Sequence, residues 1–248
     1  KVYFLNKYHH YFILVLLLLV SFSSWYYTIA GVGMNMSAWK MTLINLNISD
    51  LSHSMKNKMA GNQNLNLIDF IFLFFMWLFM MIAMMLPSAV PFIMMFDKIS
   101  YERKKYNYKF VSTIYFIVAY LFVWILFSLL STILHFVLEF NNIINTHTLS
   151  VGNLLGSFLF IFAGFYQMTP LKYACLKYCQ NPIELLSNNK IFYKLGAFNI
   201  GIKHGIFCVG CCWPLMLLLF YSGIMNLVWI IGLSFYVIVE KYLFKTRK

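Results

Sequence analysis

Residues 68–96 read IDFIFLFFMWLFMMIAMMLPSAVPFIMMF, and Asp69 is the only charge among them. At about 1.5 Å per helical residue this stretch would reach about 43 Å, longer than the ~30 Å hydrocarbon core of a bilayer. A helix that is apolar all round has no face to offer water, so it belongs in lipid or inside a bundle. Pro87 and Pro91 predict a kink in its second half and backbone carbonyls freed of their helical donors.

Working outward, comparable apolar runs lie at 11–30, 110–136, 153–169, 204–222 and 226–244. The whole chain is 62% hydrophobic and 10% charged, with a mean hydropathy of +0.75. A soluble globular protein carries about 25% charged residues. The fold class expected is therefore all-α: a polytopic membrane helix bundle with about six transmembrane helices. Residues 1–248 form a single integral membrane domain, with an outer loop at 31–67 and a connecting segment at 170–203. The first run follows Lys1 and Lys7 as a signal peptide would, and the chain does not begin with Met. Its length and the poor cleavage region Ser23-Ser24-Trp25-Tyr26-Tyr27 predict a retained first helix instead.

The net charge of +12 raises nucleic-acid binding, which the absence of a basic helix or an aromatic RNA motif argues against. Lys and Arg instead sort by compartment. Sixteen fall at the two termini, in the loop after the second run and in the segment after the fourth; three, Lys40, Lys56 and Lys58, fall on the other side. The positive-inside rule then places both termini in the cytoplasm, in a cell (inner) membrane, with the lipid bilayer as the first partner.

All five cysteines lie within 38 residues: Cys175 and Cys179, then Cys208, Cys211 and Cys212. On a helix His204, Cys208, Cys211 and Cys212 share an arc of about 100°. With a helix starting at His204, its N-terminus would favour thiolates. Thr169 suits an N-cap and Pro170 the first turn of a short helix that Pro182 ends, putting Cys175 and Cys179 on one face. On the cytoplasmic side thiols stay reduced, which favours metal binding over structural disulfides. Single buried cysteines are usually inert packing, but five gathered with a histidine in phase point to metal or redox chemistry.

Met34 and Met36 in the outer loop are further soft donors, with Met41, Met55, Met59 and His53 nearby. Thioether and thiolate together select Cu(I) over hard cations. Met76, Met80 and Met84 form a stripe better explained as packing. Asp69, His135, Glu139, Glu240, His9 and His10 read as interfacial residues able to snorkel. No Ser/His/Asp arrangement, phosphate loop or pair of intramembrane carboxylates stands out, so the reading is of a binding protein before an enzyme.

The motifs also resemble a known family. Met80 to Pro91, Leu171 to Pro182, His204-Gly205 with Cys208, Gly210-Cys211-Cys212-Trp213, and Gly33-Met34-Asn35-Met36-Ser37 are similar to the signatures of predicted metal-binding integral membrane proteins of unknown function. Some members of that family are labelled copper chaperones. The likeness covers residues 31 to 241. Gln180 stands where a basic residue is expected, and Pro214 where a small one is usual. The resemblance implies metal binding.

The metal ligands expected are thus Cys208, Cys211, Cys212, His204, Cys175, Cys179, Met34 and Met36. The cofactor is copper as Cu(I), with zinc as the competitor. The function expected is copper handling or delivery to a membrane metalloprotein or copper enzyme. Two alternatives stay open: a membrane thiol–disulfide oxidoreductase or redox sensor, and an accessory subunit of a membrane metalloenzyme complex.

Overall fold

The computed structural model describes residues 2–31, 37–46, 67–105, 112–141, 144–145, 150–180 and 194–243. Among them nine helices follow in order: α1 (Val2–Ala30), α2 (Ala38–Leu46), α3 (Leu67–Lys105), α4 (Ile114–Phe140), α5 (Asn153–Gln167), α6 (Pro170–Gln180), α7 (Lys194–Leu217), α8 (Leu219–Ser222) and α9 (Leu227–Tyr242). A minimal antiparallel pair, Ile144–Asn145 with Ser150–Val151, follows α4. The all-α expectation holds.

Four stretches are long and apolar enough to cross a membrane: His10–Ala30, Leu67–Glu102, Ile114–Phe140 and Leu195–Ser222. A fifth crossing exists if α5 and α6, bent by 64° at their junction, count as one. The expected sixth falls short on length. α9 has 16 residues and so reaches only about 24 Å. Its start is delayed by a turn in which Gly223 takes φ 84° and Asn226 caps the helix through Val228 N at 3.2 Å. The segment 31–67, expected to be a loop, also contains an unanticipated helix, α2, whose Thr42 hydroxyl accepts from Leu227 N at 3.0 Å.

Small residues set the tightest contact. Ala197, Gly201 and Gly205 recur one turn apart on α7 and pack on α4. A Cβ at Gly201 would lie 2.5 Å from the Phe116 carbonyl oxygen, and one at Gly205 would lie 2.9 Å from the Val123 side chain. Without side chains there, the two backbones approach as small-xxx-small helices do in lipid. α1 and α9 pack on α3, and α6 packs on α7.

α3 stays helical through both prolines. Carbonyls beside them receive hydroxyls from neighbours: Ser234 donates to Met84 O at 3.3 Å, Tyr120 to Met85 O at 3.3 Å and Tyr242 to Ser88 O at 2.6 Å. These bonds tie α3 to α4 and α9, whereas the carbonyls that the two prolines leave without a helical donor are those of Ala83 and Pro87. Farther along, fully buried Asp97 pairs with His10 of α1 and accepts from Thr113 Oγ1 at 2.5 Å. His10 is therefore not simply interfacial; it pins α1 to α3.

Candidate metal centre

α7 begins at Lys194, not near His204 as expected. Ala197 and Ile200 are buried among its earlier turns, so packing carries the helix back into what read as a loop. Cys208 is consequently about four turns inside. A helix terminus acts mainly over its own first turn, so the thiols lie beyond its reach.

Cys208, Cys211 and Cys212 are all buried, at most 1% exposed. Cys211 and Cys212 both donate to the Cys208 carbonyl, at 3.1 and 2.9 Å. Their side chains also interact in pairs, Cys208 with Cys212 and Cys211 with Cys212. Cys212 Sγ lies 4.0 Å from Met85 Sδ of α3. Opposite, Lys241 Nζ donates to Cys208 Sγ at 3.1 Å and to Ser88 Oγ at 2.9 Å, while the Tyr120 hydroxyl is 3.5 Å from the same sulfur.

α6 brings the second pair. Thr169 caps it as expected, accepting from Lys172 N at 3.4 Å. Tyr178 stacks on Phe207 of α7 at 4.3 Å, Lys172 pairs with Glu240 of α9, and Gln180 donates to the Glu240 carbonyl at 3.2 Å. This seats the Cys179 side chain in hydrogen-bonding contact with Cys211. Cys175 sits at the edge, where a Cβ on Gly210 would be 3.0 Å from its sulfur.

Pro214 leaves α7 continuous to Leu217, but it has no N–H to donate to the carbonyl four residues back, that of Gly210. Tyr166, at the end of α5, donates its hydroxyl to that carbonyl. The missing helical bond thereby fixes the α5–α6 elbow on α7.

His204 lies one turn from Cys208, its ring tilted by 30° against that of Phe92 at 4.0 Å and 5.6 Å from that of Tyr120. Its Nε2 is buried with no hydrogen-bond partner among the described residues. Met34 and Met36 lie outside the described residues. The structure therefore gathers Cys179, Cys208, Cys211 and Cys212, holds Cys175 and His204 beside them, and shows five free thiols. Among the described residues no group of three or more His, Cys, Asp or Glu side chains is placed, as it stands, to hold a metal ion. The donors are sulfurs in pairs, with a thioether and an orphaned imidazole at the margin. That chemistry fits a soft ion of low coordination number.

Lys241, Tyr120, Met85 and Tyr166 were not singled out in the sequence. Lys241 had a signal: Ile230, Leu233, Ser234, Val237 and Lys241 are the buried stripe of α9, so the lysine is in phase with the core. Lys172 likewise shares the buried face of α6 with Leu176.

No curated protein and no solved structure matches the chain. A family model described as copper chaperone does match, over residues 74–248, which include every cysteine, every proline and Lys241. By that match the chain belongs to the PpoB2 copper chaperone family.

Proposed function

We propose that the protein is an integral membrane copper carrier that holds Cu(I) between Cys179 of α6 and Cys208, Cys211 and Cys212 of α7, for delivery to a copper-requiring membrane protein. The observation that carries this reading is the ammonium of Lys241 set against a buried sulfur cluster. Cu(I) held by two thiolates carries one net negative charge, and one lysine balances it. An unbalanced charge at such a site would cost several kcal/mol. Cys175, His204 and the outer Met34 and Met36 serve as ligands of arrival and departure. Zinc prefers four ligands in a tetrahedron, which suits this pairwise arrangement less well.

In the bilayer α1, α3, α4, the α5–α6 elbow, α7 and the short α9 make six crossings. The lysine-rich ends then share the cytoplasm with both termini. Outward-facing Phe22, Leu130, Phe165 and Phe235 support contact with lipid.

Protein purified from membranes under reducing conditions should carry about one copper per chain, since soft thiolate sites select Cu(I). Replacing Cys208, Cys211 and Cys212 by Ser should empty it. Full copper retention in that variant refutes the site. The contact of Cys179 with Cys211 also supports a second reading, thiol–disulfide exchange. Differential alkylation in cells separates the two: a reversible Cys179–Cys211 disulfide favours exchange, and metal-protected reduced thiols favour the carrier.

A further inference from the structure

Cys212 faces a sulfur that belongs to no cysteine. Its Sγ lies 4.0 Å from Sδ of Met85 on α3. Among the described residues no group of three or more His, Cys, Asp or Glu is placed to hold a metal ion. A donor that completes a pair of thiolates therefore has to come from another residue type, and thioether is the remaining soft one. Met85 is fully buried and stands about 100° round α3 from the stripe of Met76, Met80 and Met84.

The groups that hold Cys208 also hold Met85. The Met85 carbonyl accepts from Ser88 Oγ at 2.9 Å and from the Tyr120 hydroxyl at 3.3 Å. Ser88 Oγ in turn accepts from Lys241 Nζ, which also donates to Cys208 Sγ. The Tyr120 hydroxyl lies 3.5 Å from that same sulfur. Two routes from Cys208, one through Lys241 and Ser88 and one through Tyr120, thus close on a single carbonyl. The thioether starts from a fixed root, as a preorganised ligand requires.

The spacing suits one ion. Two sulfurs bonded to a metal at about 2.3 Å lie about 4.0 Å apart at a trigonal angle of ~120°, and about 4.6 Å apart on a line. Cys208 and Cys212, whose side chains interact, supply two thiolates one turn apart on α7. Their two protons leave as Cu(I) enters, with no change of oxidation state. The thioether loses no proton and adds no charge, so the balance with Lys241 is kept.

We infer that Met85 is the third ligand of Cu(I), beside Cys208 and Cys212, and that its thioether sets the preference of the site for Cu(I) over Zn(II). Thioether sulfur favours Cu(I), whereas zinc sites are built from thiolate, imidazole and carboxylate. This assignment rests on the copper-carrier reading and narrows it to one trigonal site.

The test compares the full chain in detergent, loaded anaerobically with one Cu(I), with Met85→Leu, a volume-conserving exchange that cores tolerate. X-ray absorption at the copper edge counts the sulfurs, and a chromogenic chelator gives the Cu(I) affinity. The expected result is three sulfurs in wild type and two in Met85→Leu, with Cu(I) affinity lower by about tenfold or more. Zn(II) affinity, read by competition with an indicator dye, should stay within about threefold. Met76→Leu, also buried but about two and a half turns back along α3, should match wild type throughout. Selenomethionine-labelled wild type frees the test from the folding of any variant: its copper edge should show one selenium and two sulfurs. No selenium at copper, three sulfurs in both unlabelled proteins, or unchanged Cu(I) affinity in Met85→Leu overturns Met85 as a ligand and leaves the cysteine carrier standing. A wild-type chain that takes up no Cu(I) overturns both.

Discussion

Lys241→Met removes one charge from the thiol cluster while keeping an unbranched, core-compatible side chain in its place. At the observed Nζ–Sγ separation of 3.1 Å, two unit charges attract by about 5 kcal/mol at an effective dielectric constant of ~20. The negative charge of a Cu(I) bis-thiolate is shared by two sulfurs, so Lys241 feels roughly half of it. The loss on substitution is then about 3 kcal/mol, or roughly 100-fold in Kd. The metal-free protein should respond differently, because exchanging a buried charge for a well-packed apolar group is often neutral or stabilising. Competition with a chromogenic Cu(I) chelator gives the affinity, and thermal unfolding of the metal-free protein in detergent gives the stability. Lys241→Arg, which keeps the charge, should lose much less. A Lys241→Met protein that binds Cu(I) within about threefold of wild type refutes charge balance as the basis of the site.

The same chelator assay should rank the α6 cysteines: Cys179→Ser weakens Cu(I) binding clearly, whereas Cys175→Ser, at the cluster edge, changes it little. Gly201→Ala drives a methyl toward the Phe116 carbonyl and should cost about 1–3 kcal/mol by overpacking, read as a lower thermal midpoint. Gly232→Ala, with nothing within 4 Å of its added carbon, should not destabilise. Tyr166→Phe strands the Gly210 carbonyl at a cost of about 1–3 kcal/mol. That variant should also speed maleimide labelling of Cys175 as the elbow loosens.

The apolar runs made the bundle legible, because a helix that cannot face water announces itself in composition alone. Boundaries were less so. Ala197 and Gly201 look like loop residues until α4 is there to pack against, so the start of α7 was placed too late. The phase of Cys208, Cys211 and Cys212 was readable from spacing, and so was the cap at Thr169. The direction in which α6 folds back was not, since it depends on the contacts of Tyr166, Tyr178 and Lys172 across helices. Lys241 was hidden by its type: a lysine near the end of an apolar run reads as topology, and only its phase with Val237 and Leu233 shows that it turns inward. His135 was obscured in the same way, with its burial supplied by tertiary packing.

The hydrogen bond from Tyr166 to the Gly210 carbonyl has a consequence for descent as well as for stability. The hydroxyl is needed only because Pro214 has withdrawn a donor. A lineage carrying an ordinary small residue at this position restores the helical bond, and selection for the phenol at position 166 then lapses. The two positions, 48 apart in the chain, should therefore drift together across the family: tyrosine where there is proline, and freedom to become phenylalanine where there is not.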